Sequence, residues 1–86
     1  MDFETYLTEV YISKRTKMHL KKISAKQYNN RLKNMKKKGI YNKEKVISED
    51  IKNSISLHYA NRKNEYVDTL KYYIEYMEYL ETLAQK

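Results

Sequence analysis

The chain has 86 residues, with one Gly, no Pro and no Cys, and its formal net charge is +7. A chain this short forms one domain, and without Cys neither disulfides nor thiolate metal sites can hold it together. No apolar run approaches the roughly 20 residues that cross a bilayer, and the acidic start Met1-Asp2-Phe3-Glu4 is unlike a basic signal peptide. We therefore expect a single cytoplasmic domain over residues 1–86, with a core formed by packing alone.

The basic charge is concentrated in one segment. Thirteen Lys and Arg residues lie between Lys14 and Lys45 with Glu44 as the only acid, whereas five acids face two bases from Glu65 onward. A field this asymmetric attracts polyanions, whereas evenly mixed charge would serve only solubility. The charge distribution therefore favours nucleic acid as the partner.

Asp2 can cap a first helix, because its carboxylate accepts hydrogen bonds from free backbone amides. This helix is predicted to run to about Thr16. Its buried stripe, at helical spacing, consists of Phe3, Tyr6, Leu7 and Val10. A basic connector then leads into the second helix.

The second helix is predicted to begin at Ser24. Ser24 and Gln27 have the spacing of a capping box, and Ile23 is placed to pack on Tyr28. Gly39 can end the helix with little strain, because glycine readily adopts a left-handed backbone. The apolar stripe on one side consists of Ala25, Tyr28, Leu32 and Met35. The opposite side carries no acid.

Two further helices are predicted after a loop over residues 40–47. Ser48 caps the third, whose first turn holds the acids Glu49 and Asp50, as the helix dipole favours. The last helix covers residues 64–84, and its predicted core stripe consists of Val67, Leu70, Ile74, Met77, Leu80 and Ala84. Because no segment shows strand-like alternation, the chain is predicted to be all-α, a compact four-helix bundle.

The two histidines do not indicate an active site. Catalysis needs several convergent groups with perturbed pKa values, usually in a cleft. We expect His19, in the basic connector, to be solvated or bonded to the backbone, and His58 to lie on a helix surface. The sequence therefore predicts no catalytic residue, no bound metal and no cofactor.

The side of the second helix opposite its apolar stripe fits DNA. Lysines neutralise phosphates, and asparagine can bond bidentately to adenine in the major groove, which admits a helix. The predicted recognition face consists of Lys26, Asn29, Asn30, Lys33 and Lys37. The predicted phosphate contacts are Lys21, Lys22, Lys36 and Arg62. The alternative is that these lysines only keep a surface helix soluble, but the scarcity of acids favours a polyanion.

The last helix carries a second apolar row, which consists of Tyr72, Tyr76, Tyr79 and Leu83. One core contact does not cover both this row and the core stripe, so the row is predicted to be partly exposed and to bind a partner. That partner is either a second copy, in a homodimer, or the missing remainder of a larger protein. Tyr28, Tyr59 and Tyr73 are assigned to packing instead.

Three segments resemble the SAM-like core-binding domain of phage integrases and other tyrosine recombinases. Residues 23–35 are similar to the start of that domain, where an apolar residue and Ser precede a helix of similar pattern. Ile47-Ser48-Glu49-Asp50-Ile51 resembles its short helix with an acidic start, and residues 70–77 resemble its last helix, typically Leu, a base and aromatics. The resemblance implies a SAM-like four-helix domain whose basic helices bind DNA.

The chain also departs from that family. The family usually has Thr where Gln27 stands and Tyr where Arg31 stands. Its catalytic part, with an Arg, a His-x-x-Arg motif and a nucleophilic Tyr, is absent, and the spacing of His58 and Arg62 does not replace it. The resemblance therefore implies that the chain is the DNA-binding part of a phage or mobile-element protein in DNA recombination, and that it does not cleave DNA strands. It also implies that the missing remainder of the larger protein would be the catalytic domain.

A DNA-binding module is the function favoured by both the residues and the resemblance. The alternative is a small protein–protein interaction regulator of a phage or mobile element, which binds an acidic protein with its lysines or a partner helix with its Tyr row. A membrane-surface role ranks third, because the basic helix lacks a bulky apolar face that would insert. We therefore expect double-stranded DNA as the partner, with no membrane and no small-molecule substrate.

Overall fold

Four α-helices joined by irregular segments make up the fold. The computed structural model describes residues 1–84, in which the helices are α1 (Phe3–Glu9), α2 (Lys22–Lys37), α3 (Glu49–His58) and α4 (Lys63–Ala84), with a 3₁₀ turn at Ala60–Arg62. Residues 1–84 contain no strand, so the predicted all-α class is confirmed. Over the same residues, no helix is both long and apolar enough to cross a bilayer.

The start of α1 is confirmed, because the Asp2 carboxylate accepts a hydrogen bond from the Thr5 backbone N–H at 2.8 Å. Hydrogen bonds from the side chain and the backbone of Thr5 hold the pKa of Asp2 below its ordinary value. A carboxylate at this position also interacts favourably with the positive end of the helix dipole. Asp2 therefore stabilises α1 more strongly when it is ionised.

The predicted end of α1 near Thr16 is wrong, since the helix stops at Glu9. The Tyr11 N–H donates to the Tyr6 carbonyl at 2.8 Å, and the Leu7 carbonyl accepts from the Leu20 N–H at 3.1 Å. In a continued helix, the Leu7 carbonyl would accept from the Tyr11 N–H instead. The Leu20 N–H, on the segment that returns towards α2, thus occupies the carbonyl that the next turn of α1 would have used.

The predicted start of α2 at Ser24 is also wrong. Lys21 is the N-cap residue, it makes no side-chain cap bond, and its carbonyl accepts from the Ala25 N–H at 3.0 Å. Ser24 therefore lies inside the first turn, and Ile23 is exposed rather than packed on Tyr28. The additional turn gains backbone hydrogen bonds, which outweigh the free energy of about 1 kcal/mol that a side-chain cap at Ser24 would contribute.

The end of α2 is confirmed at Gly39, which follows the last helical residue by two positions and has φ of +73°. This left-handed backbone turns the chain into a loop whose first residues, Ile40 and Tyr41, are buried. The Tyr41 hydroxyl donates to the Glu44 carbonyl at 2.7 Å, and burial raises the pKa of Tyr41 to about 12. The loop is therefore held by its own side chains between α2 and α3.

Ser48 caps α3 as predicted, since its hydroxyl accepts from the Ile51 N–H at 3.2 Å. We expect Ser48→Ala to lower the free energy of unfolding by about 1 kcal/mol through loss of this bond. Ser24→Ala is the matched control: it replaces an interior helical residue by a better helix former, so stability should stay the same or rise by about 0.5 kcal/mol. Urea denaturation followed by circular dichroism measures both. A larger loss for Ser24→Ala than for Ser48→Ala would contradict the observed start of α2.

The core lies where α4 packs against the other three helices and the loop after α2. Its buried apolar residues are Phe3, Tyr6, Leu7, Ala25, Leu32, Met35, Ile40, Tyr41, Ile51, Ile55, Tyr66, Leu70, Tyr73 and Tyr76. The predicted stripe of α2 is thus confirmed at Ala25, Leu32 and Met35, with Tyr28 half-buried beside them. The shortest helix, α1, contributes three of these core residues despite its seven-residue length.

Aromatic rings fill much of this core. Nine of them form one connected set with centroid separations between 4.9 and 6.4 Å: Phe3, Tyr6, Tyr11, Tyr28, Tyr41, Tyr72, Tyr73, Tyr76 and Tyr79. Tyr59 and Tyr66 form a separate stacked pair at 3.7 Å. Tilted and edge-to-face pairs add about 0.5–1.5 kcal/mol each beyond the apolar area they bury. All ten tyrosines therefore take part in ring packing.

Candidate nucleic-acid interface

The outer side of α2 carries a stripe of polar side chains, four of which are lysines. It consists of Lys22, Lys26, Asn30, Lys33 and Lys37, and all five side chains are exposed. Their spacings of four, four, three and four residues place them on one side of a helix. We call this set the basic stripe. It lies opposite the buried Met35, and no Asp or Glu occurs anywhere in α2.

Two residues assigned to this surface from the sequence lie at its edge and contact other helices. Asn29 is half-buried, and its amide Nδ2 donates to the Glu4 carboxylate of α1 at 3.2 Å. Lys36 is also half-buried: its Nζ donates to the Tyr73 hydroxyl at 3.2 Å and lies 4.7 Å from the Tyr73 ring centroid. Both side chains therefore lie beside the helix interfaces rather than fully outward, and their assignment as DNA contacts stays a prediction.

Lys21 and Arg62, the other two assigned phosphate contacts, are exposed. Lys21 is the N-cap residue of α2 and adjoins Lys22 of the basic stripe in sequence. Arg62 lies in the 3₁₀ turn before α4, where its guanidinium is 3.9 Å from the Glu65 carboxylate. The same carboxylate lies 3.2 Å from Arg31, whose side chain is largely buried. Glu65 thus partly neutralises this corner, and Arg62 is not continuous with the basic stripe.

Acidic side chains of α1 bound the basic stripe on one side. A shallow groove between α1 and α2 is lined by Asp2 and Glu4 on α1 and by Lys22 and Lys26 on α2. Two further acids lie in the first turn of α3 and five lie on α4. On α4, burial raises the pKa of Glu75, and Glu81 pairs with Lys45. The positive field is therefore directed outward from α2, away from α4.

The predicted partner-binding row on α4 is mostly covered. Tyr76 is only 8% exposed, and its hydroxyl donates to the Met1 carbonyl at 2.5 Å. Tyr72 and Tyr79 are half-buried, with ring centroids 4.9 Å from Tyr11 and 5.5 Å from Tyr6 respectively. The expected partial exposure is therefore wrong for Tyr76, which α1 and Met1 cover, whereas Tyr72 and Tyr79 stay partly exposed beside α1 and the residues after it.

The two predicted rows of α4 in fact flank the buried side. That side consists of Tyr66, Thr69, Leu70, Tyr73 and Tyr76. Of the predicted core stripe, Leu70 is buried, while Val67, Ile74, Met77 and Leu80 are half-buried and Ala84 is exposed. Leu83, the last residue of the predicted partner row, is 43% exposed. The buried side thus lies between the two rows.

One histidine bonds to the backbone, and the other lies on a helix surface. His19 Nδ1 lies 2.8 Å from the Tyr11 carbonyl oxygen, which only accepts, so this bond requires a proton on Nδ1. His58 is exposed in the last turn of α3. Both placements agree with the sequence-based expectation. Within residues 1–84, no three His, Cys, Asp or Glu side chains come close enough to share a metal ion.

Comparison with protein-family models, curated proteins and solved structures finds no match to this chain. The basic stripe and its surroundings are consequently the observations on which a functional proposal rests.

One cationic element was not assigned from the sequence. Lys14, Arg15 and Lys17 are exposed on the turn between α1 and α2. Because α1 was predicted to continue to Thr16, most of this segment was assigned to a helix rather than to a separate turn. A signal was nevertheless present, because the chain contains no Asp or Glu between Glu9 and Glu44.

Proposed function

We propose that the chain is a module that binds duplex DNA through the basic stripe of α2. The observation that carries this proposal is the alignment of four exposed lysines and Asn30 on one side of a helix that contains no acid. Lysines that only served solubility would not need to share one side or to exclude acids from it. Four aligned ammonium groups instead follow a row of phosphates, where each contact releases condensed counterions.

The dimensions of α2 support this proposal. Its 16 residues extend about 24 Å, and a major groove about 12 Å wide admits a single helix. Asn30 lies between Lys26 and Lys33 at the middle of the basic stripe, and its amide is exposed. Asn30 is therefore placed to contact a base edge, while the lysines on either side contact the phosphates that border the groove.

The resemblance to the core-binding domain of tyrosine recombinases belongs to the same proposal. Four helices without a strand in residues 1–84 are compatible with a SAM-like arrangement, and the basic helix occupies the second position in chain order. In this reading the chain supplies DNA binding to a recombination reaction of a phage or mobile element. Strand cleavage would require a catalytic part on another polypeptide segment.

The proposal is tested by titrating a fluorescently labelled random duplex with the protein at several salt concentrations. Lys21 and the four lysines of the basic stripe supply five cations, so log affinity should fall against log salt with a slope at least as steep as about −4.5. Fluorescence anisotropy measures the affinity at each concentration. Absence of binding at low salt would exclude the proposal and would favour an acidic protein as the partner of the same lysines.

A further inference from the structure

The turn between α1 and α2 has a defined backbone. The Ser13 N–H donates to the Met18 carbonyl at 3.0 Å, and the Lys17 N–H donates to the Ser13 carbonyl at 2.7 Å. The bond between His19 and the Tyr11 carbonyl closes the base of the turn. Lys17 has φ of +57°, a left-handed backbone that costs a lysine roughly 1–2 kcal/mol and persists only where the surrounding bonds enforce it. We call residues 12–18 the wedge turn.

The wedge turn presents two apolar side chains to solvent. Met18 is 60% exposed and Ile12 is 56% exposed. Their backbones lie close together, because the Ser13 N–H donates to the Met18 carbonyl and His19 Nδ1 bonds to the Tyr11 carbonyl. A side chain that only needed packing would be turned towards the aromatic core next to it, as the neighbouring Tyr11 is. The turn instead holds both apolar groups outward.

Exposed cations share the wedge turn with this apolar pair. They are Lys14, Arg15 and Lys17, and Lys21 and Lys22 follow at the start of α2. No Asp or Glu occurs in the sequence between Glu9 and Glu44, although Lys14 lies near Glu75 of α4. A turn that exposes two apolar side chains together with cations fits a polyanion that has an apolar interior.

We propose that the wedge turn is a second contact with duplex DNA, in which Met18 and Ile12 insert between base steps from the minor groove while Lys14, Arg15 and Lys17 bind the flanking phosphates. This inference rests on the proposed function of the basic stripe and adds deformation of the bound duplex to it. The minor groove, about 6 Å wide, excludes a helix but admits a narrow turn. Apolar wedges of Met, Ile, Leu or Phe in this groove unstack a base step and kink the duplex.

DNA fits the wedge turn better than a lipid surface does. Binding to a bilayer depends on a broad apolar face that is buried along a helix, together with cations. The wedge turn offers two apolar side chains on a short turn, which is enough to separate one base step but buries little area in a membrane. Its continuity with the basic stripe also means that one polyanion can contact both elements.

The test measures bending of a short duplex that carries a donor dye at one end and an acceptor dye at the other, with the full chain added. Bound duplex should show increased energy transfer corresponding to a kink of about 20–90°. The double variant Met18→Ser with Ile12→Ser should keep its affinity within about tenfold, because phosphate contacts dominate binding, but should lose most of the increase in energy transfer.

Val46→Ser with Leu57→Ser is the matched control, since both residues are large, apolar and exposed outside this segment. This control should bend the duplex as the unchanged chain does. Binding without bending, or equal bending by the wedge variant, would exclude the inference and leave the proposed function intact. Failure of the unchanged chain to bind duplex would exclude both. Binding to phosphatidylserine vesicles that the wedge variant loses, without any effect on bending, would assign the turn to a lipid surface instead.

Discussion

Tyr76→Ser is expected to lower the free energy of unfolding by about 3–5 kcal/mol, as is typical when a large aromatic side chain is removed from a core. Its ring lies 5.7 Å from Phe3, 5.5 Å from Tyr6 and 5.7 Å from Tyr73, and its hydroxyl bonds to the Met1 carbonyl. Small domains are stable by only about 5–15 kcal/mol. The variant should therefore show a large decrease in its urea midpoint and a partly unfolded population near physiological temperature.

Leu83→Ser is the matched control, because Leu83 belongs to the same predicted row of α4 but is 43% exposed. Its expected cost is below about 1 kcal/mol. Tyr76→Phe separates the two contributions of Tyr76, since it keeps the ring and removes only the bond to Met1, which contributes about 0.5–1.5 kcal/mol. Unchanged stability of Tyr76→Ser, with a sedimentation profile shifted towards a smaller species, would instead show that Tyr76 lies in an interface between molecules.

Replacing Lys22, Lys26, Lys33 and Lys37 together by Gln is expected to abolish most duplex binding. Each phosphate contact contributes about 0.9 to the slope of log affinity against log salt, so the slope should become shallower by about 3.6. At about 0.1 M salt this corresponds to an affinity loss on the order of 10³-fold. Anisotropy titrations of the same labelled duplex measure both quantities. The fold should persist, because all four side chains are exposed.

The matched control removes the same number of charges elsewhere, by replacing Lys43, Lys52, Lys63 and Lys71 with Gln. These residues lie outside α2, in the loop before α3 and on α3 and α4. Because the Debye length is about 10 Å at 0.1 M salt, charges distant from the duplex contribute little, and the affinity should stay within about tenfold. Equal losses in the two variants would show that net charge, and not the arrangement on α2, controls binding.

The local signals in the sequence were read correctly where one side chain and a neighbouring backbone group decide the structure. The caps at Asp2 and Ser48 and the left-handed Gly39 are of this kind, and all three were found. Ser24 shows the limit of such signals. Its capping-box spacing is genuine, but the helix continues past it by one turn, because Lys22 and Ile23 also take up helical backbone. A cap that contributes about 1 kcal/mol does not decide a boundary alone.

The features that depend on tertiary contacts were not predictable from periodicity. The end of α1 is set by a bond from Leu20, which is distant in sequence, to the Leu7 carbonyl. The buried side of α4 is set by the position of α1, since a helix with apolar residues on several sides does not specify which of them is covered. The exposed side of α2 was predicted better, because it follows from the rotation of α2, which Leu32 and Met35 fix. Asn29 and Lys36 lie at the border of that rotation, so periodicity alone did not show that they contact Glu4 and Tyr73.

The connected set of aromatic rings gives the folded chain an optical property. The protein contains no Trp, so its ultraviolet emission comes from tyrosine. Eight of the ten tyrosines belong to the set of rings spaced 4.9–6.4 Å from their neighbours. At such spacing, excitation passes between differently oriented rings before a photon leaves, so the emitted light loses its polarisation. Unfolding separates the rings and confines each excitation to one of them, which ends this transfer.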